Sequence, residues 1–150
     1  PITGIFNCSS KNAFGTQATF KNSDITNDGD GALAVNVVGA AFKKGKIQSG
    51  KTDDSVSFDG NSRVAKAKVD LGRGDDSITF AKGGTVKGKN SLKLGKGGKD
   101  SVVIENLKNI KGTLVIRQFG KGDTVTVNGK LYTFSDRKAL NKLDGIKIKG

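Results

Sequence analysis

What most limits the folds open to this chain is the even spacing of four short segments. "DSVSF" (54–58), "DSITF" (76–80), "DSVVI" (100–104) and "DTVTV" (123–127) each open on an aspartate and continue as a β-prone run. Asp54, Asp76, Asp100 and Asp123 stand 22, 24 and 23 residues apart, and a looser copy, "DGALAV", begins 24 residues before Asp54, at Asp30. A glycine–cation pair precedes each of the four: Gly50-Lys51, Gly72-Arg73, Gly95-Lys96 and Gly120-Lys121. Three are also preceded by an apolar segment, "KVDL" (68–71), "SLKL" (91–94) or "TLVI" (113–116), and a third kind of segment, "TVKG" (85–88) or "NIKG" (109–112), falls between copies. A period of this length marks a stack of units, none of which buries its apolar side alone.

Each unit reads as two or three short strands joined by Gly/Asn/Lys turns. That predicts an all-β protein, a short parallel β-solenoid with coils of about 23 residues and three sides. Five coils at the inter-strand spacing would be on the order of 24 Å long. An antiparallel β-sandwich is the alternative, since short strands at regular spacing also suit it. In "VAKAKVDL" (64–71), period-two alternation sets Val64, Lys66, Lys68 and Asp70 against Ala65, Ala67, Val69 and Leu71. The chain is read as one domain over 1–150, with an N-terminal cap or arm at 1–29, repeats at 30–127 and a C-terminal cap at 128–150. Within that cap, Asn128-Gly129 between alternating runs predicts a hairpin. Residues 135–145 predict one short helix, opened by Ser135 and stopped by Gly145, and "IKIK" (146–149) predicts a closing strand.

Charge narrows the partner. There are 26 basic and 14 acidic residues, a net charge of +12, which calls for something anionic. Only four of the 26 cations are arginine, so the bidentate contacts that read nucleic acid are scarce, and a nucleic-acid partner is not expected. Lys43, Lys66, Lys89 and Lys111 recur at the repeat spacing and are the predicted partner-binding stripe. No apolar run reaches membrane-spanning length, so no membrane role is expected. No charged-then-apolar leader opens the chain, and the expectation is a protein made inside the cell.

Chemistry is thin. Histidine is absent and Cys8 stands alone, which excludes His-dependent triads and multi-cysteine metal sites. Asp53/Asp54 and Asp75/Asp76 are sequence neighbours, which on a strand point to opposite faces and so cannot act as an acid–base couple. No catalytic residue, no cofactor and no enzymatic activity are expected. Asp24, Asp28 and Asp30 cluster in "SDITNDGDG" (23–31) but lack the glutamate of a calcium loop at its twelfth position, where Val35 stands, and are read as a polar turn.

Residues 72–78, Gly-Arg-Gly-Asp-Asp-Ser-Ile, resemble the latter part of the calcium-binding nonapeptide of RTX β-rolls. That resemblance implies calcium at the turn, but a cation inside every turn and one aspartate per turn argue against it. The favoured reading is architectural. Glycines form the corner, and each aspartate bonds amides one or two residues on. The stacked aspartates are then offset by a neighbouring ladder of Lys51, Arg73, Lys96 and Lys121. Arg73-Gly74-Asp75 spells an adhesion triplet, but its residues already belong to the repeat. As a whole the chain resembles small β-solenoid virion structural proteins of tailed bacteriophages, such as capsid decoration or tail-associated proteins. The resemblance implies a cement-like role on an acidic major capsid protein lattice, trimeric association, and assembly into virions in the host cytoplasm. The alternative is an RTX-like surface module, extracellular, holding calcium or a glycan.

Overall fold

The chain winds into a stack of short strands in a computed structural model that describes residues 4–9 and 19–150. The first coil comprises β1 (Gly4–Ser9), β2 (Thr19–Lys21) and β3 (Asp24–Thr26). The second is β4 (Leu33–Val38), β5 (Ala41–Lys43) and β6 (Lys46–Gln48), and the third β7 (Ser55–Asp59), β8 (Arg63–Ala65) and β9 (Lys68–Asp70). The fourth is β10 (Ser77–Phe80), β11 (Thr85–Lys87) and β12 (Lys89–Lys93). In the fifth, β13 (Ser101–Ile104) and β14 (Thr113–Arg117) flank a 3-10 turn, and Ile110 bridges to Val86 where a middle strand would stand. A closing stretch holds β15 (Thr124–Val127), β16 (Lys130–Thr133), α1 (Arg137–Leu140) and β17 (Ile146–Lys149).

Like strands lie over like strands. The first face is ordered β1-β4-β7-β10-β13-β15-β16, the second β2-β5-β8-β11, and the third β3-β6-β9-β12-β14-β17. All pairings are parallel except the β15–β16 hairpin. The protein is thus a β-solenoid of about five turns with a C-terminal hairpin and short helix, and the antiparallel sandwich is ruled out.

Apolar residues at alternate positions fill the interior as columns. Val56, Ile78, Val102 and Val125 stack on the first face, and Ile47, Val69, Leu92 and Ile116 on the third. Phe58 and Phe80 stack at 5.4 Å between ring centres, and Phe42 tilts onto Phe58 at 6.1 Å. Such side chains contribute roughly 1.5–3 kcal/mol each on burial.

Three local expectations are corrected. Residues 64–71 are not one alternating strand: Lys66 turns with φ 56° between β8 and β9, which resets the phase. Val64 is therefore buried on the same interior as Ala67, Val69 and Leu71. The predicted helix at 135–145 shortens to a 3-10 turn, Phe134–Asp136, followed by the four-residue α1. Its start is held by Thr133 and Asp136 in a capping box rather than by Ser135. Residues 1–29, read as a cap or arm, supply β1, β2 and β3 to the first coil, while residues 1–3 and 10–18 lie outside the described ones. No helix among the described residues is long and apolar enough to cross a membrane.

Candidate functional site

Two residue columns set the chemistry of the surface: aspartates inside one corner and cations outside the next. The repeated aspartate immediately precedes β7, β10, β13 and β15, and its side chain turns into the corner. Asp54, Asp76, Asp100 and Asp123 are all at most 5% exposed. Each accepts a hydrogen bond from the coil before it, and only Asp123 adds one from its own turn, the Gly120 amide to Oδ2 at 2.6 Å. Asp54 Oδ1 takes the Leu33 amide (2.6 Å), Asp76 Oδ1 the Asp54 amide (2.8 Å), Asp100 Oδ1 the Asp76 amide (2.9 Å) and Asp123 Oδ1 the Asp100 amide (3.1 Å). The expected local turn bond and the offsetting cation ladder are both corrected here. Lys51, Arg73, Lys96 and Lys121 are exposed, and Lys51 pairs with Asp30 at 3.6 Å in solvent.

The aspartates that precede two of the ladder members, Asp53 and Asp75, behave oppositely. Exposed Asp53 accepts the Asp75 amide at 2.8 Å, and exposed Asp75 accepts the Lys99 amide at 2.8 Å. Coils three and four are therefore clasped in both directions by adjacent carboxylates. The adhesion-like triplet is part of this clasp, with Asp75 engaged in it. Burial, with the charges of Asp100, Asp54 and Asp53 adding to it, pushes the Asp76 carboxyl up to about 7 despite the amide it accepts from Asp54. Asp100 is pushed up to about 6, mainly by burial and then by Asp123 and Asp75.

The exposed cations divide by side. On the first face the outward positions Ser55, Ser77, Ser101 and Thr124 form one column, and Ser57, Thr79, Val103 and Thr126 the next, with no charge in either. The third face is the reverse. One outward column runs Asp24, Lys46, Lys68, Ser91, Val115, Lys147, and its neighbour runs Thr26, Gln48, Asp70, Lys93, Arg117, Lys149. Between these columns and the adjoining corner lies a groove of about 580 Å³ lined by Lys46, Lys66, Lys68, Lys89, Lys93 and Arg117. Ala67, Val69, Asp70 and Ser91 complete it, and Asp70 holds Lys93 Nζ at 2.8 Å.

The predicted stripe of Lys43, Lys66, Lys89 and Lys111 is not one column. Lys43 shares its register with Lys21, Ala65 and Lys87, and Lys111 follows Lys87 through its amide bond to the Val86 carbonyl. Lys66 sits one position on, over Lys44, and Lys89 begins β12. The offset arises because the coils differ by a residue or two in length, and the difference is absorbed at the corners. Lys66 and Lys89 reach the groove; Lys43 and Lys111 do not line it. Lys46, Lys68, Lys93 and Arg117 were not singled out in the sequence. Their signal is present in "KIQ", "KVD", "SLK" and "VIR", where the two outward positions of each strand bracket one core residue.

No family model, no curated protein and no solved structure matches the chain.

Of the other candidates, Asp24, Asp28 and Asp30 are exposed, and among the described residues no group of three acidic, histidine or cysteine side chains converges as a metal site would require. What remains is a body whose second and third sides carry columns of positive charge, with a groove on the third, and whose first side carries none in its central columns. Such a surface attracts an anionic partner and orients it, since opposite potentials steer encounter and fix register.

Proposed function

We propose that the protein is a non-enzymatic structural component of an assembly, attached to an acidic protein lattice by its lysine-bearing third side, in the manner of a virion surface or cement protein. The observation that carries this reading is the segregation of charge on a repeat-built rod. Lys46, Lys68, Lys93 and Arg117 crowd one side, and the outward Ser/Thr columns of the first side are neutral. Lysine suits such attachment, being a strongly hydrated point charge that adapts to carboxylates without the fixed fork of arginine. A major capsid protein is the partner class, and association as a trimer belongs to the same reading.

The test is isolation in native form from the source, followed by charge reversal. The protein should sediment with a particle, and Lys68→Glu with Lys93→Glu should weaken retention by about tenfold at low salt while leaving the fold intact. Recovery of the protein free, or on a glycan, would refute the reading.

The alternative, a calcium-holding surface module, has one feature in its favour. The Oδ2 atoms of Asp54 and Asp76 are buried without a hydrogen-bond partner. A bound ion stabilises the native state by mass action, so a chelator would lower the melting temperature under that alternative and leave it unchanged under the first reading.

A further inference from the structure

The groove on the third face is more than a charged strip, because its floor is lowered at one position. In the outward column the long side chains of Lys46 and Lys68 give way to Ser91 and then Val115, before Lys147 restores the height. Val115 faces outward by register but is covered, at 1% exposed, and neither it nor Lys147 lines the groove, so the open floor is at Ser91. Lys89 adds to the rim, since β12 is five residues long where β9 has three. Asp70, fixed to Lys93 at 2.8 Å, is the one carboxylate lining the groove. The result is a bounded depression with a small hydroxyl at its base, cations around it and the methylene stems of lysines as walls.

We propose that this depression is the docking site for a short extended acidic peptide segment of the partner, a deepening that rests on the attachment reading above. Charge complementarity selects the sign, and the spacing selects the form. An extended peptide presents alternate side chains about 6.6–6.8 Å apart on one side, and neighbouring strands of the solenoid lie about 4.8 Å apart. Two carboxylates at alternate positions then meet cations of adjacent coils, Lys68 and Lys93, while a small residue between them passes over Ser91. Five lysines to one arginine around the groove favour carboxylates over phosphate esters, which draw the bidentate arginine fork.

The probe is a fluorescently labelled ten-residue peptide of alternating glutamate and serine, titrated with the full chain at low ionic strength. Saturable one-to-one binding is expected. Ser91→Tyr fills the depression without changing charge and suits a strand; it should weaken binding by about tenfold. Lys68→Glu with Lys93→Glu should weaken it at least as much, and Lys43→Glu with Lys87→Glu, outside the groove, by less than about twofold. Circular dichroism checks that each variant is folded. Wild-type affinity in Ser91→Tyr would overturn the proposal, because diffuse charge would then suffice. So would displacement of the peptide by a lower concentration of a sulfated glycan or a single-stranded oligonucleotide of equal charge. Retention on the native particle is measured with the same variants. Particle binding that survives Ser91→Tyr would overturn the groove as the dock and leave the attachment reading standing; wild-type protein that binds the peptide but no particle would refute only the attachment reading.

Discussion

A carboxylate placed above another carboxylate at strand spacing, away from water, is held there only by what its oxygens accept. In the ladder each Oδ1 has an amide from the preceding coil, and for Asp54 and Asp76 the Oδ2 has none. The consequence is proton linkage. Unfolded, Asp76 loses its proton near 3.8; folded, it keeps it to about 7. Between those values the native state binds more protons than the unfolded one, so this contribution is full at or below about pH 4 and is lost as pH rises to about 7. Asp100 acts in the same direction and is exhausted by about 6. The urea midpoint should therefore fall between pH 5 and pH 8. Asp76→Asn keeps the Oδ1 acceptor and removes the charge, so it should flatten that slope and raise stability at pH 8 by about 1–3 kcal/mol. An unchanged slope in the variant would place the titration elsewhere. Asn90 offers a comparison without charge: its Oδ1 takes the Ala67 amide at 2.8 Å and its amide donates to the Lys87 carbonyl at 3.0 Å. Asn90→Ala should cost about 1–3 kcal/mol at every pH, read as a parallel drop in the same midpoints.

At the scale of the strand and its corner, glycine sets how closely coils approach. Gly72 and Gly95 stack with positive φ, 82° and 97°, and a Cβ on Gly95 would overlap the carbonyl oxygen of Gly72. Gly95→Val should destabilise by more than about 3 kcal/mol, visible as loss of the cooperative thermal transition, since strain in φ and the clash add. These elements also show what could be read beforehand. The recurrence of Asp54, Asp76, Asp100 and Asp123 was enough to predict parallel stacking, because register repeats with the sequence period. The direction of the aspartate bond was not legible: a local turn and a bond to the preceding coil require the same residue types. Nor was the true column of Lys43, because one extra corner residue shifts a position that counting along the chain keeps aligned. The groove escaped for the same reason. Its residues come from four strands whose outward alignment exists only after β12 has absorbed its added residues.

Taken whole, the molecule is a stack in which each coil touches little beyond its neighbours, so its ends decide whether the stack stops growing. β16 closes the first face as an antiparallel edge, and Leu140, the last residue of the short helix, is fully buried. Deleting residues 128–150 would strip that cover and expose the β14 and β15 edges, and the truncated protein should elute on size exclusion as a spread of aggregates larger than the full chain's species. The parallel, in-register build has a further outcome. Duplicating or excising one 23-residue turn would change the length by about 4.8 Å and leave the parallel, three-faced build as it was. A lineage using this architecture as a spacer can match the thickness of whatever it bridges only in discrete increments, like links added to a chain, never by gradual stretching.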